Sequence, residues 1–414
     1  MFDAWLSCSD PHLETIAGDL ILNWGRAVEH DRQRRLRPAD RQNRDNIVRA
    51  ILANLAFAAA MEAPTIGVSL RAAKQRTSRY ERSGFRRLPE ILELLAAYGI
   101  LRLERSTTKR VASTITAAGS FADDLHRSRI SKRDFGQIPG RETVFLSRVE
   151  RDFAGREEGR ELIEYQEASV TGRFRAEVGI INAFLGDADI RLEDAQGQSI
   201  QCGLPFLRRH FNLPPDAPEG TERFDLGGRL FGWWQNLPKA QRRGIRIMGE
   251  PVADLDFASM FLRLAYLEAG QPPPEGDLYA VIPGLSEPRW RPGVKKAALA
   301  MLFRTSPLTR APRGTRGELP PNISGLQLRG AILAGHPALA GIFETGIGLR
   351  LMFIESQILI AALLTLAEKR IPAIPMHDGL MVAQSQAHQA TTIMGDAAEA
   401  ITGYRLPILL KSLY

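Results

Sequence analysis

Two carboxylates at the ends of separate apolar strands are the residues of this sequence best suited to chemistry. Asp378 lies in IPAIPMHDGLMV, residues 371–382, where short apolar runs flank His377, Asp378 and Gly379. Asp-Gly between apolar runs predicts a tight β-hairpin with one carboxylate at its tip. Asp256 closes the alternating stretch VADLDF, residues 252–257. A plainer reading of Asp378 exists, because Asp-Gly is favoured in turns for its backbone alone. Carboxylates on neighbouring strands, however, share divalent cations, and a pair of Mg²⁺ ions ~3.5–4 Å apart is the usual device for in-line nucleotidyl transfer.

The elements that position such a pair need a chain with room for them. At 414 residues and 44% apolar composition, the sequence supports two or three domains with cores of their own. Cys8 and Cys202 are its only cysteines and lie far apart, so neither a disulfide framework nor a C-x-x-C metal cluster is expected, in keeping with a reducing cytoplasm. The start, MFDAWLSCSDPHLE, lacks a basic leader followed by an apolar core. The longest strongly apolar run, Ile358 to Ala367, is about half of the ~20 residues that span a bilayer, so no membrane is expected as a partner. A formal charge of +7 and a pI near 9.6 favour a polyanionic one.

Along the N-terminal part, residues 26–49 are rich in arginine without a sustained apolar stripe, which suits a solvated arm or a segment that binds a nucleic-acid backbone. Asn46 to Met61 is apolar at helical spacing and predicts a core helix. Leu88, Ile91, Leu92 and Leu95 continue the helical period until Gly99, after which ILRLE leads through a Ser-Thr-Thr-Lys turn into VASTI. Helix, strand, turn and strand, with arginines at 71, 76, 79, 82, 86 and 87, resemble a winged helix-turn-helix, whose helix would meet a duplex groove while the basic turn reaches phosphates. The alternative is a protein-contact module of the same shape. Residues 126–224 read as a mainly helical, thumb-like connection containing the amphipathic stretch Glu177 to Leu185.

Four stretches of the C-terminal half fall in a telling order: GGRLFGWWQNLP, VADLDFASMFLRL, RPGVKKAALAMLF and PMHDGLMV. Together they resemble the polymerase core of family A DNA polymerases and the related single-subunit RNA polymerases of phage type. The first is similar to the family's T-G-R-L…Q-N-I-P stretch through Arg229, Gln235 and Asn236. Motif A is matched by Asp256 with Arg263 seven residues on, which selects Asp256 over Asp254. Motif B is matched by Arg291 and Lys295, with Phe303 where the family carries tyrosine, and motif C by His377 and Asp378. Each match alone is weak, and their joint order is the signal.

The resemblance implies an α+β fold in three parts. Residues 225–414 would form a palm with an antiparallel sheet and helical fingers, residues 126–224 the connection, and residues 1–125 the winged-helix-like DNA-binding domain. It implies that Asp256 and Asp378 hold two Mg²⁺ ions, with Mn²⁺ as the alternative, and that Arg291 and Lys295 on one helix face meet a nucleoside triphosphate. Phe303 and Phe261 would line the nucleotide's sugar and base. Arg229, Gln235, Asn236, Arg263 and His377 would contact the DNA template and primer, and Glu355 and Gln357 are the only polar residues of an otherwise apolar helix that would reach nucleic acid. Phe261 replaces the glutamate that bars ribonucleotides in the family, and Gly379 replaces the third motif C residue, so sugar choice is left open. The expected function is nucleotidyl transfer in replication of a plasmid, phage or mobile element, including primer synthesis, with an accessory protein or helicase as a further partner. A DNA-directed RNA polymerase or primase, and a non-catalytic winged-helix replication protein, are the alternatives.

Overall fold

The computed structural model describes residues 1–30, 37–62, 65–70, 78–108, 111–151, 157–200 and 203–414. Contacts divide the chain into two compact units, the first made of 1–142, 186–206 and 236–246, the second of 143–185, 207–235 and 247–414. Arg71, Arg76, Arg110 and Cys202 lie outside the described residues.

The first unit opens with β1 (Leu6–Cys8), α1 (Pro11–His30) and α2 (Pro38–Ala60), followed by β2 (Ile66–Val68), α3 (Leu88–Ala97), β3 (Leu101–Glu104), β4 (Ser113–Ala117), α4 (Gly119–Arg127) and β5 (Phe135–Gln137). From Ile47 to Ala58 nearly every residue of α2 is buried, including the polar Asn54, which donates to the carbonyls of Asp3 and Ala50. A helix apolar on every side must be enclosed on every side. Ile91, Leu92 and Leu95 of α3, Ile66 and Val68 of β2, and Ile115 of β4 supply part of that enclosure. The antiparallel sheet has the order β2-β4-β3, so the last strand lies between the two earlier ones.

The chain enters the second unit with β6 (Val144–Arg151), β7 (Glu157–Leu162) and α5 (Ser169–Asp187), and returns to the first for the hairpin β8 (Ile190–Glu193) and β9 (Ser199–Ile200). It comes back with β10 (Arg208–Leu213) and β11 (Gly227–Phe231), then passes through 236–246 to β12 (Ile245–Ile247). From there it remains in the second unit: β13 (Glu250–Phe257), α6 (Met260–Glu268), α7 (Arg291–Phe303), α8 (Gly325–Gly335), α9 (Gly348–Glu368), β14 (Ala373–Met376), β15 (Gly379–Ala383), α10 (Ala387–Thr402) and β16 (Ile408–Leu413). The architecture is α+β with mostly antiparallel sheets.

The mainly helical character expected of 126–224 is corrected here. Only α5 is a long helix, and β6, β7 and β10 join β11 in a sheet of order β11-β10-β6-β7, with β6 and β10 parallel. Charged residues interleaved with apolar ones blur the alternation of these strands, and the parallel β6–β10 pairing depends on a partner distant in sequence, which local spacing does not reveal.

The second unit's other sheet sets β13 between β15 and β16, both antiparallel to it, with β14 beyond β15. Helix α9 has 21 residues, longer than its apolar run suggested, and it is the described helix long and apolar enough to cross a membrane. Half of its apolar window is buried, and it packs against α6, α10 and β11 as a core helix does.

Candidate active site

The hairpin that carries Asp378 differs in detail from the expectation. The two turn residues are His377 and Asp378, and Gly379 already begins β15. His377 takes the left-handed conformation at φ 57°. Gly379 is required for another reason: it pairs with Asp256, and a Cβ there would lie 2.1 Å from the Leu255 carbonyl oxygen and 3.0 Å from Oδ1 of Asp256. The glycine is thus set by close approach of two strands, and the same approach brings the carboxylates together. Gly379→Ala is expected to wedge β13 from β15, lowering thermal stability by ~1–3 kcal/mol and displacing Asp256. An unchanged melting curve would sink this account.

Strand register does the rest. Asp256 opposes Gly379 on one side and Leu409 of β16 on the other, and the Phe257 amide donates to the Asp378 carbonyl at 3.2 Å. Asp256 lies close enough to Asp378 to feel its charge, and Asp256 is pushed up to about 7, first by burial and then by the negative charge of Asp378. Lys411 of β16 opposes this with its Nζ 3.1 Å from Oδ2 of Asp256.

Arg229 of β11 comes close to the same pair. Its guanidinium makes a two-pronged ion pair with the fully buried Glu355 of α9, at 2.6 and 2.9 Å. Burial pushes Glu355 up to about 7 against the pull of Arg229, and Asp378 and Asp256 add to the rise. Arg229 itself is raised: burial opposes, but Glu355 and Asp378 together outweigh it. It also lies over the Phe261 ring, 5.5 Å from the centroid.

Helix α7 begins with Arg291 and ends with Phe303, so the expected placing of Arg291 and Lys295 on one helix holds. Arg291 is ion-paired to Asp277, whose Oδ1 also accepts from Ser259 just beyond β13. Tyr279, almost wholly buried, has the Arg291 guanidinium 5.4 Å and the Lys295 ammonium 5.9 Å from its ring centre. Its hydroxyl is raised by burial first and next by the negative charge of Asp378, with Asp277 and Asp256 adding to the rise and Arg291 opposing it. Phe303 packs on Phe261 at 5.6 Å between centroids and keeps 40% of its surface exposed, whereas Phe261 keeps 6%.

Several residues expected to touch nucleic acid do internal work. Gln235 donates to the carbonyls of Leu230 and Pro375 and accepts from the Gly232 amide, while the Trp234 indole donates to the same Pro375 carbonyl. The pair clamps β14 from behind. The Arg263 guanidinium donates to the carbonyls of Ala258, Pro274 and Gly276 and pins the loop after α6. Glu355 is consumed by Arg229, and Gln357 accepts from Arg209. Asn236 is exposed and belongs to the first unit, while the His377 ring lies edge-on to Phe231 at 6.4 Å.

Sequence reasoning missed Asp277, Tyr279, Lys411 and Arg209. Arg209 is fully buried and ties α5, β11 and α9 together behind Arg229. Each pairs with a residue distant in sequence, and the one local signal is Asp-x-Tyr ahead of α7.

Among the described residues, no cluster of three or more His, Cys, Asp or Glu side chains is arranged to hold a metal. The Asp256–Asp378 pair nevertheless fits divalent ions: the Asp256 carboxyl is desolvated beside a second negative charge and already draws in an ammonium group. Magnesium needs only one or two carboxylates, with phosphate and water oxygens completing its shell. No protein-family model matches the chain, and neither does any curated protein.

Proposed function

We propose that the chain is a template-directed nucleotidyltransferase working through two divalent ions, a compact DNA polymerase of the family A type that serves replication of a plasmid, phage or mobile element. One juxtaposition carries the reading: the β13–β15 register sets Asp256 opposite Gly379, beside Asp378, in the unit that also holds Arg291 and Lys295 over the Tyr279 ring. Bound at the two carboxylates, divalent ions would ease deprotonation of the primer 3′-hydroxyl and neutralise the leaving pyrophosphate. Lys295, which has no ion pair among the described residues, meets the triphosphate, and Arg291 joins it by sharing its charge with Asp277. Phe303 offers the exposed apolar face beside which base and sugar stack, backed by Phe261.

Primer extension on a DNA template, run in parallel with dNTPs and NTPs, tests this. Template-dependent incorporation is expected. Neither Phe261 nor Phe303 can hydrogen-bond a 2′-hydroxyl, so dNTPs should be preferred by shape alone, which is worth ~1–3 kcal/mol or roughly 10–200-fold. Strict use of NTPs would move the reading to an RNA polymerase or primase.

A DNA-binding role for the first unit has separate support. The order helix α2, strand β2, helix α3 and strands β3 and β4, with β4 central in the sheet, matches a winged helix. The arginines expected to face DNA are partly engaged: Arg79 pairs with Glu142, Arg82 donates to the Ala4 carbonyl and Arg87 pairs with Glu90. The electrostatic footprint therefore moves toward the exposed Arg102. Should the extension assay yield no product, DNA binding through this unit remains as the function.

A further inference from the structure

The C-terminal strand ILLKSL carries one charged residue, and the fold re-aims it. Along β13 and β16, Asp254 pairs with Ser412 and Leu255 with Leu410, so Lys411 is the extra residue of a bulge and has no counterpart on β13. A bulge of this kind turns a side chain out of the regular alternation. The strand's Leu409, Leu410 and Leu413 are each more than half exposed, while the Lys411 ammonium sits 3.1 Å from Oδ2 of Asp256. The negative charges of Asp256, Asp254 and Asp378 all favour the charged ammonium, against the opposing effect of burial.

We propose that Lys411 is a tethered counter-cation of the Asp256–Asp378 pair: it occupies Asp256 when no metal is bound, and an incoming divalent ion must displace it. The inference rests on the metal-dependent reading above and extends it. Held by a bulge as the one charged residue of its strand, the lysine keeps the two carboxylates together without metal and sets the metal concentration at which the site fills. It acts on the reaction through Asp256 and is a positioning residue.

Mn²⁺ binding to the full chain, followed by the loss of the free-ion signal in electron paramagnetic resonance, tests this without reference to activity. Lys411→Met retains the length of the chain and removes its charge, whereas Lys411→Arg retains the charge. Removing a unit charge this close to a ligand oxygen should tighten Mn²⁺ binding by ~10-fold, a figure kept low because the lysine is half exposed and screened. Lys411→Arg should stay near the wild-type affinity, which separates charge from any effect on strand β16. Asp256→Asn supplies the control. Wild-type binding that is lost in Asp256→Asn but unchanged or weaker in Lys411→Met overturns the counter-cation while leaving the metal site intact. Absence of any Asp256-dependent binding overturns both.

Discussion

Exchanging either Asp256 or Asp378 for Asn is expected to lower nucleotide incorporation by roughly 10³-fold or more, because residues acting as one unit fail together when either is removed. Each exchange withdraws one negative charge from the pair that, in the proposed reaction, holds positive charge against a triphosphate. Binding of primer-template, measured by fluorescence anisotropy, should stay within twofold or so of wild type, since it draws on cations elsewhere on the chain. Asp254→Asn is the internal control. Asp254 lies two residues back on β13, on the same face, pairs with Met381 and Ser412 and is buried, so incorporation should survive its exchange if the register assigns the metal to Asp256. Full activity in both Asp256→Asn and Asp378→Asn would sink the site assignment.

The same exchange makes a stability signature with a definite sign. Asp256 rises from 3.8 to about 7 in the fold, mainly through burial and the neighbouring Asp378. A carboxyl raised in the folded state contributes its stability below the unfolded value and loses it as pH climbs through the folded one. Asp256→Asn should therefore raise the melting temperature in the presence of a chelator at about pH 8 and leave it unchanged near pH 4. Divalent ions should stabilise the wild type and not the variant, because they bind the ionised carboxylate. A variant that melts lower than wild type at the higher pH would contradict the crowding of charge described for this pair.

Local chemistry made some of this legible from the chain alone. That Arg291, Lys295 and Phe303 share a helix was visible from their spacing, and α7 carries all three. The strand ending near Asp256 and the hairpin around Asp378 were likewise visible, as runs of apolar residues interrupted by turn formers. Their mutual register was not. It depends on Gly379 tolerating the Leu255 carbonyl, a contact between segments far apart in sequence. The misplaced turn has the same origin: Asp-Gly reads as a turn, whereas the structure uses His377 and Asp378 and keeps the glycine for strand contact. Polar residues were legible by type but not by partner. Arg229, Gln235 and Arg263 look like surface contacts in a basic sequence, yet a guanidinium or amide among apolar neighbours must find acceptors, and these find them inside the protein.

Arg209→Ala is expected to cost the second unit ~3–5 kcal/mol, the usual effect of removing one partner from a buried, hydrogen-bonded ionic network. Its guanidinium has no exposed surface and donates to the Gly228 carbonyl at 3.1 Å, Glu177 at 3.0 Å, Ser356 at 3.1 Å and Gln357 at 2.5 Å. It also lies over the rings of Phe174 and Phe211, at 4.4 and 5.1 Å. Burial pulls it down to about 10, so it remains charged near neutrality, where the alanine variant would leave the acceptors on β11 and α9 without a donor. Arg209→Met should recover part of the loss by refilling the volume among the phenylalanines, since Glu177 keeps contact with solvent and Arg173. Gly228, with φ 80° and Ser356 so near that a Cβ would come within 2.7 Å of its hydroxyl, immediately precedes Arg229. Any shift there moves the Arg229–Glu355 pair and, through it, the charge environment of Asp378. Both variants should therefore lose incorporation further than their folded fraction accounts for. Urea denaturation followed by the fluorescence of the buried Trp234 measures the first effect, and extension rates at low temperature, where the variants stay folded, measure the second. A loss below about 1 kcal/mol for Arg209→Ala would mean that the network holds without its central cation.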